Sequence, residues 1–263
     1  MTYALEADLI CKNFQRRNKK AVKALERVSL RIPKNSIYGL LGPNGSGKST
    51  FIRVASTLLI PDSGGLKVMG KDVVKEPQSV RWLINRVSVE ASFFRELSAY
   101  ENLLFSAGLY GIQKKKAIFR IKEISERIGL DKKRLNEPIK DYSRGMQQKV
   151  AIARALITEP PVLLLDEPTT GLDPRAKLEV QELVTSMQEK LDVTILLTTH
   201  DMIEAEKLCD KVAIIHQGKI VVNGSPEELM NNIPGEKTTF EDVFLHYTGI
   251  EFSKAEKEEI NEE

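Results

Sequence analysis

The sequence has few of the residues on which disulfide-rich or zinc-stabilised proteins depend. Its two cysteines, Cys11 and Cys209, lie far apart and have no partner at metal-ligand spacing. A disulfide framework and a zinc site are therefore not expected, and free thiols are typical of a reducing cytosol.

Long apolar runs and an excess of one charge are also missing. Runs such as residues 162–165 are far shorter than the roughly 20 residues that span a bilayer, and the first residues lack the pattern of a signal peptide. We therefore expect any work at a membrane to be done through another chain. The 39 basic and 37 acidic side chains give a formal net charge of +2. This balance gives no argument for a nucleic-acid partner, and none is expected.

The residues that are present indicate a globular protein that alternates strands and helices. The chain has 263 residues, of which 41% are apolar and 29% charged, enough to bury a sizeable core. A period-two alternation predicts a strand over 28–32, and short apolar runs at 36–41, 162–165 and 193–197 are typical of buried strands. Helical spacing predicts a helix over 51–59, which a proline follows.

The middle of the chain is predicted to be helical. Ser98 and Glu101 have the spacing of a capping box at the start of one helix. An apolar stripe runs from Ile118 to Ile128 on the next helix, and Gly129 is placed just past its end.

A glycine-rich segment follows the predicted strand at 36–41. It matches the P-loop pattern Gly-x-x-x-x-Gly-Lys-Ser, with a strand before it and a helix after it. Glycines let backbone N–H groups approach phosphate oxygens, and the positive end of the following helix favours the same anion. The pattern predicts a nucleotide-phosphate site rather than a simple glycine-rich turn. Its residues are Gly42, Pro43, Asn44, Gly45, Ser46, Gly47, Lys48, Ser49 and Thr50.

Two side chains of this P-loop, residues 42–50, have predicted roles of their own. Lys48 is expected to reach the β- and γ-phosphates as a catalytic residue, and the Ser49 hydroxyl is expected to hold Mg²⁺. The predicted cofactors are therefore ATP and Mg²⁺.

Two acids directly follow the apolar run at 162–165. A strand of this kind should lie inside a parallel sheet, with its carboxyl end at the edge where α/β folds bind ligands. Asp166 is expected to steady Mg²⁺, directly or through water, and Glu167 to polarise the attacking water as general base. An exposed acidic turn is the alternative, and the intact P-loop argues against it.

The segment Tyr142-Ser143-Arg144-Gly145-Met146, with a predicted helix after it, carries the most specific resemblance. It resembles the Leu-Ser-Gly-Gly-Gln signature of the ABC (ATP-binding cassette) ATPases. Ser143 and Gly145 match this signature, and the other three residues depart from it. In the family this element binds the ATP held by the opposite subunit, so the resemblance implies ATP-binding roles for Ser143 and Gly145. Arg144 either contacts that phosphate as a cation or is a solvated surface residue.

The resemblance runs over about residues 4–230 and implies the fold. It implies an α/β P-loop NTPase of the ABC ATPase type, with a mixed central sheet and an N-terminal antiparallel β subdomain. An inserted helical subdomain is expected at about residues 91–157. Residues 1–230 would form the ABC ATPase domain, and 231–263 a C-terminal extension with an acidic tail.

Three further positions match the family in the expected order. His200, after a predicted strand, resembles the switch histidine that contacts the γ-phosphate and is assigned a catalytic role. The loop from Gly171 to Asp173 resembles the one that passes between the two subunits, although Asp173 alternatively caps the following helix. Phe14 stands where the family places a ring under the adenine; a core phenylalanine is the alternative.

A short stretch around residue 90 departs from the family pattern. Glu90 stands where the family usually has a glutamine, and the resemblance implies a metal-binding role for it, although a glutamate adds negative charge beside the triphosphate. Phe93 and Phe94 follow, in the region beside the groove that receives a helix of the transmembrane subunit. Two adjacent aromatic residues of a regular strand cannot both face one core, so one of them is a candidate for lining that groove and core packing is the alternative for each.

The segments 218–229 and 240–249 resemble the drug- and antibiotic-efflux (daunorubicin-resistance-type) ATPases. The resemblance implies an ATPase that powers export through a separate transmembrane permease, works as a head-to-tail dimer with a second copy or a paralogue, and is peripheral on the cytoplasmic face of the cell membrane. The alternative is a soluble ABC ATPase that acts in iron–sulfur assembly or on nucleic acid or ribosomes. The segment between Lys48 and Ser143 is too short for the long coiled coil of genome-maintenance members, and the chain carries one cassette, whereas translation-factor members carry two.

Overall fold

The computed structural model describes residues 3–16, 19–88, 92–233 and 238–249. They form two sheets and a set of helices that follow one another along the chain. The strands are β1 (Tyr3–Arg16), β2 (Lys19–Pro33), β3 (Ile37–Leu41), β4 (Ser63–Val68), β5 (Lys71–Asp72), β6 (Ile84–Val87), β7 (Val162–Asp166), β8 (Thr194–Thr199), β9 (Lys211–His216) and β10 (Lys219–Gly224). The helices are α1 (Lys48–Ala55), α2 (Pro77–Leu83), α3 (Ala99–Leu109), α4 (Lys114–Arg127), α5 (Lys132–Leu135), α6 (Arg144–Leu156), α7 (Pro174–Leu191), α8 (Met202–Leu208), α9 (Pro226–Asn231) and α10 (Phe240–Thr248).

The central sheet is mixed, as predicted. Its six strands have the order β10-β9-β3-β8-β7-β6. The neighbouring strands β9, β3, β8, β7 and β6 are parallel to one another, and β10 pairs with β9 in the antiparallel sense. Every residue of β3, β7 and β8 is buried, which confirms the prediction from their apolar runs.

The two faces of the central sheet belong to two separate core clusters. Leu163 and Leu165 of β7 lie in the cluster on the helical side, whereas Val162 and Leu164 lie in the other cluster. This alternation follows from the period of two in a strand. The second cluster also contains Phe51 of α1 and buried residues of β1, β2 and β4, so α1 packs between the central sheet and the second sheet.

The second sheet is antiparallel and lies near the N-terminus, as the resemblance implied. Its strand order is β2-β1-β4-β5, and β1 pairs with both β2 and β4. The predicted strand at 28–32 is the last part of β2. The predicted helical insertion at about 91–157 contains α3, α4, α5 and α6, and their buried apolar residues pack in the cluster on the helical side of the central sheet.

Two predicted helices differ in detail from the observed ones. The helix predicted over 51–59 begins earlier, at Lys48, and ends at Ala55, and Thr57 beyond it adopts a left-handed φ of 62°. In α4, Ile121 and Ile124 are buried, but Ile118 is 41% exposed, because the stripe of isoleucines is wider than the face that packs. The capping box at Ser98 and Glu101 is confirmed.

The C-terminal part of the described chain packs on the same core. Phe240, Val243 and Phe244 of α10 are buried in the cluster on the helical side. The packing therefore shows no break near residue 230, and the domain boundary predicted there stays a prediction. Within the described residues no helix combines the length and the apolar character needed to cross a membrane.

Candidate nucleotide-binding site

The P-loop joins the end of β3 to the start of α1, and its conformation requires glycine at two positions. A Cβ atom on Gly42 would lie 2.3 Å from the carbonyl oxygen of Ile215, and one on Gly47 would lie 2.5 Å from that of Ala24. Gly47 also has a φ of 117° and precedes α1 without a side-chain cap. The N–H groups of the first turn of α1 are therefore uncapped by a side chain, as an anion site requires.

The other loop residues differ in exposure. Asn44, Gly45 and Ser49 are exposed, and Pro43 and Thr50 are half-buried. Ser46 is buried; its N–H donates to the carbonyl of Pro43 at 3.1 Å, which closes a turn. Every predicted P-loop residue thus lies on one continuous strand–loop–helix connection.

Lys48 is folded back over the loop. Its Nζ donates to the carbonyl oxygens of Gly42 at 2.6 Å and Pro43 at 3.2 Å, and it lies 3.2 Å from Oε1 of Glu167. The side chain is only 4% exposed, and burial lowers the pKa of Lys48 although Glu167 opposes this. The amine is held by acceptors that an incoming phosphate would replace.

Asp166, at the end of β7, ties the P-loop to the central sheet. Its Oδ1 accepts from the hydroxyls of Thr198 at 2.8 Å and Ser49 at 3.3 Å. Its Oδ2 accepts from Nη2 of Arg86 at 3.1 Å. A serine hydroxyl and a carboxylate side by side are the hard oxygen donors that Mg²⁺ prefers, so Ser49 and Asp166 fit the predicted metal.

Glu167 lies at the centre of the charged groups. It adopts a left-handed φ of 49°, and its N–H donates to the carbonyl of Thr198 at 3.0 Å. Its Oε2 accepts from the Thr170 hydroxyl at 3.2 Å and lies 3.4 Å from Nδ1 of His200, an ion-pair distance outside hydrogen-bond geometry. The positive φ is a strained conformation for this residue type, and the bond that the Glu167 N–H donates to Thr198 helps to hold it.

These contacts shift the pKa values of Glu167 and His200. His200 and then Lys48 lower the pKa of Glu167 to about 2, against the effect of burial. The Glu167 carboxylate raises the pKa of His200. Glu167 is therefore ionised at neutral pH. Lys48, Asp166, Glu167 and His200 lie together in the structure, and their roles at a nucleotide stay predictions.

The signature segment is a separate and more exposed element. Ser143 caps α6, with its Oγ accepting from the N–H of Met146 at 3.3 Å, and Ser143 is exposed. Gly145 is buried, and a Cβ atom there would lie 2.5 Å from Cβ of Ala176 in α7. Within this chain, close helix packing accounts for that glycine. Among the described residues no hydrogen bond joins Ser143 or Gly145 to the P-loop.

Arg144 and Asp173 both have contacts within the chain. Nη1 of Arg144 donates to the carbonyl oxygen of Gly171 at 3.3 Å, although Arg144 is exposed. Asp173 caps α7 by accepting from the N–H of Ala176 at 2.9 Å. The signature and the loop at 171–173 are therefore directly connected within one chain.

Three aromatic residues singled out in the sequence take different positions. Phe14 is half-buried on β1, belongs to neither core cluster, and has Nζ of Lys12 6.0 Å from its ring centroid. Phe93 packs against the helical-side cluster and lies 4.7 Å from the Arg154 guanidinium. Phe94 is 54% exposed, as the argument about adjacent rings predicted for one of the pair. Glu90 lies outside the described residues.

Sequence reasoning missed several groups of the site. Thr198 and Arg86 both bind Asp166, and Thr170 binds Glu167. Thr198 lies opposite Asp166 in the parallel pairing of β7 with β8. The available signal was that two short strands carry polar residues beside apolar ones, but strand order was needed to say which strands are neighbours.

Comparisons with known proteins agree with this arrangement. The model of the ABC transporter family matches residues 25–170. The daunorubicin resistance ATP-binding protein DrrA3 of Streptomyces coeruleorubidus is 40% identical over 228 residues, which cover 86% of this chain and 70% of that protein. The ABC transporter ATP-binding protein NatA of Bacillus subtilis (strain 168) is 38% identical over 226 residues, which cover 84% of this chain and 90% of that protein.

A solved structure supports both the fold and the chemistry. It is a dimeric post-hydrolysis state of an ATP-binding cassette bound to ADP and Pi, with a TM-score of 0.72 and 25% identity, and the match covers 84% of this chain and 98% of that one. The family match includes the P-loop, Asp166 and Glu167. The chain therefore belongs to the ABC transporter family and is one of its ATP-binding, ATP-hydrolysing subunits.

Proposed function

We propose that this chain powers export of a drug or antibiotic through a separate membrane permease. The similarity to DrrA3, which is named for daunorubicin resistance, supports this proposal, as does 38% identity over 199 residues to the bacitracin transport ATP-binding protein BcrA of Bacillus licheniformis. The observation that carries the catalytic part is the cluster of Lys48, Asp166 and Glu167 beside the start of α1.

We infer the following roles at the nucleotide. The P-loop N–H groups and Lys48 hold the phosphates, and Ser49 and Asp166 hold Mg²⁺, which neutralises phosphate charge. Glu167 polarises the attacking water. Phosphate oxygens that draw Lys48 and His200 away from Glu167 remove the contacts that lower its pKa, so the carboxylate becomes more basic when ATP is bound.

A second subunit completes the site in this proposal. Ser143 is exposed at the N-terminus of α6, a helix of 13 residues, where serine, free N–H groups and the helix dipole favour a phosphate. A head-to-tail pair would place this end over the ATP of the other subunit. The dimeric cassette structure to which this chain is similar fits such a pair.

The permease contact is proposed for the cytoplasmic face of the membrane. Phe94 and Phe105 are 54% and 48% exposed, and their ring centroids lie 5.0 Å apart. Exposed aromatic pairs of this kind are suited to an apolar partner helix. Phe93, by contrast, packs inward against the helical-side cluster.

Purification from detergent-solubilised membranes tests the transport role. The tagged chain should co-purify with a polytopic membrane protein, and double substitution Phe94→Ser with Phe105→Ser should weaken that recovery because it removes the exposed rings. The isolated variant should hydrolyse ATP like the wild type. Recovery of the chain only with cytosolic assembly factors or ribosomes would favour the soluble alternative instead.

Lys48→Ala tests the nucleotide assignment separately. The substitution removes the cation that the loop carbonyls and Glu167 hold, so ATP affinity should fall by about tenfold or more. Arg53→Ala, an exposed cation in the last turn of α1, is the matched control and should bind ATP normally. Equal affinity in all three proteins would reject the phosphate site.

A further inference from the structure

Arg86 is a charged residue inside the central sheet that the proposed roles leave unused. It lies on β6 and pairs with Leu164 of β7. Leu164 is two residues before Asp166, the last residue of β7. Its side chain is 24% exposed, whereas that of Asp166 is 4% exposed. Nη2 lies 3.1 Å from Oδ2 of Asp166, and Nε is buried without a hydrogen-bond partner among the described residues.

Arg86 is the cation that lies beside Asp166. Lys48 lies 3.2 Å from the carboxylate of Glu167, and Arg86 lies 3.1 Å from that of Asp166. Because His200 also lies 3.4 Å from Glu167, Glu167 has two partners that can carry positive charge, whereas Asp166 has Arg86. A carboxylate as buried as Asp166 is costly to leave unpaired, so a neighbouring cation stabilises it strongly.

We propose that Arg86 is the resident counter-cation of Asp166, which neutralises this carboxylate before a nucleotide binds and opposes Mg²⁺ once one has bound. The inference rests on the proposed nucleotide site. Oδ1 of Asp166 faces the Ser49 hydroxyl, where Mg²⁺ would lie, while Oδ2 is taken by the guanidinium. If Asp166 held a divalent cation, directly or through water, the guanidinium on the same carboxylate would be a like charge close to it.

Two consequences follow for ligand binding. Without Mg²⁺, Asp166 would repel nucleotide phosphates, and Arg86 cancels that repulsion. In the absence of the metal, the wild type should therefore bind nucleotide more tightly than a variant that lacks the charge of Arg86. With nucleotide bound, the same cation should weaken the binding of the metal. Both effects are electrostatic and short-range, and the partly buried setting limits screening by salt.

The test is the affinity for ADP and for Mn²⁺ in matched variants. In EDTA, Arg86→Gln should bind ADP about tenfold more weakly than the wild type. The affinity of its ADP complex for Mn²⁺, followed by electron paramagnetic resonance, should rise about tenfold. Arg81→Gln is the control, because Arg81 is exposed on α2 and its Nε donates to the Thr57 hydroxyl, so it should match the wild type in both assays.

Arg86→Lys keeps the charge and guards against a folding defect in the glutamine variant. Its ADP affinity in EDTA should stay within about threefold of the wild type. Loss of affinity in the lysine variant equal to that in the glutamine variant would reject a role for charge, as would a glutamine variant that matches Arg81→Gln in both assays. Failure of the underlying site has another signature: the wild type would bind no ADP, or Lys48→Ala would bind it equally well.

Discussion

The two regions proposed to contact nucleotide, one in its own subunit and one in a second subunit, are built in opposite ways. Around Asp166 and Glu167, charged groups are nearly buried and bound to one another, with contacts reaching β6, β8 and α1. Around Ser143, the N-terminus of α6 is exposed, and the hydrogen bond of the Ser143 side chain caps the helix and involves no charged group. The contacts of the first region all lie within one chain, whereas the second exposes the N-terminus of a helix to solvent.

This difference indicates how catalysis is divided. A buried cluster is preorganised, because its side chains are held before the ligand arrives. An exposed helix end contributes only when another surface is brought against it. Binding of nucleotide should therefore depend on the first region alone, and hydrolysis on both. Two substitutions test this division, and two more test how the regions are held together.

The largest effect is expected for Glu167→Gln. Removal of the ionised carboxylate should lower ATP turnover by at least about 100-fold, while the P-loop still binds ATP. Phosphate release measures turnover, and equilibrium binding with size-exclusion chromatography shows whether a closed dimer accumulates. Glu182→Gln, on the exposed side of α7, is the control. Near-normal turnover in the Glu167 variant would place the base elsewhere.

Ser143→Arg should separate hydrolysis from binding. A large cation at the exposed cap should block closure of two subunits and lower ATPase activity by about tenfold or more, with ADP affinity unchanged. Ser225→Arg is matched, because Ser225 also caps a helix through its side chain, that of α9, away from the proposed site. If dilute, monomeric Ser143→Arg hydrolyses ATP as the wild type does, the two-subunit model is wrong.

The buried region was the more predictable of the two. Apolar strands ending in Asp166, and a glycine loop before a helix, follow from local patterns whose physical requirements are strict. Arg86 and Thr198 were missed because their relation to Asp166 depends on which strands are neighbours in the sheet, and local patterns do not contain that information. Similarly, the packing of Gly145 on Ala176 joins two helices separated along the chain.

Gly145→Ala tests whether that glycine also has a structural reason. Alanine favours a helix by about 1 kcal/mol over glycine, but a Cβ atom 2.5 Å from that of Ala176 forces the helices apart. The clash should outweigh the propensity, and the free energy of unfolding should fall by about 1–3 kcal/mol. Urea denaturation measures it. Adding Ala176→Gly should restore part of the loss; no recovery would mean that the contact does not limit packing.

The smallest effect is expected for Glu204→Gln, at a buried acid that links the two regions. Glu204 on α8 is 1% exposed, and its Oε1 accepts from the hydroxyl of Thr169, in the turn between Asp166 and Asp173, at 2.7 Å. Burial raises the pKa of Glu204 above its ordinary value of 4.5. The folded state therefore holds this proton more tightly than the unfolded state.

The sign of the pH dependence follows from this raised pKa. The stability that protonated Glu204 contributes is fully present below pH 4.5 and is lost as the pH rises through the folded-state pKa. Glutamine keeps the acceptor for Thr169 and cannot ionise, so the stability of the variant relative to the wild type should rise as the pH increases from 4.5 to neutrality. Parallel urea titrations of the two proteins measure this difference. A constant difference across that range would show that Glu204 has the same protonation in the folded and unfolded states. The carboxyl group bound to Thr169, in the turn between the buried region and α7, would then not have a raised pKa.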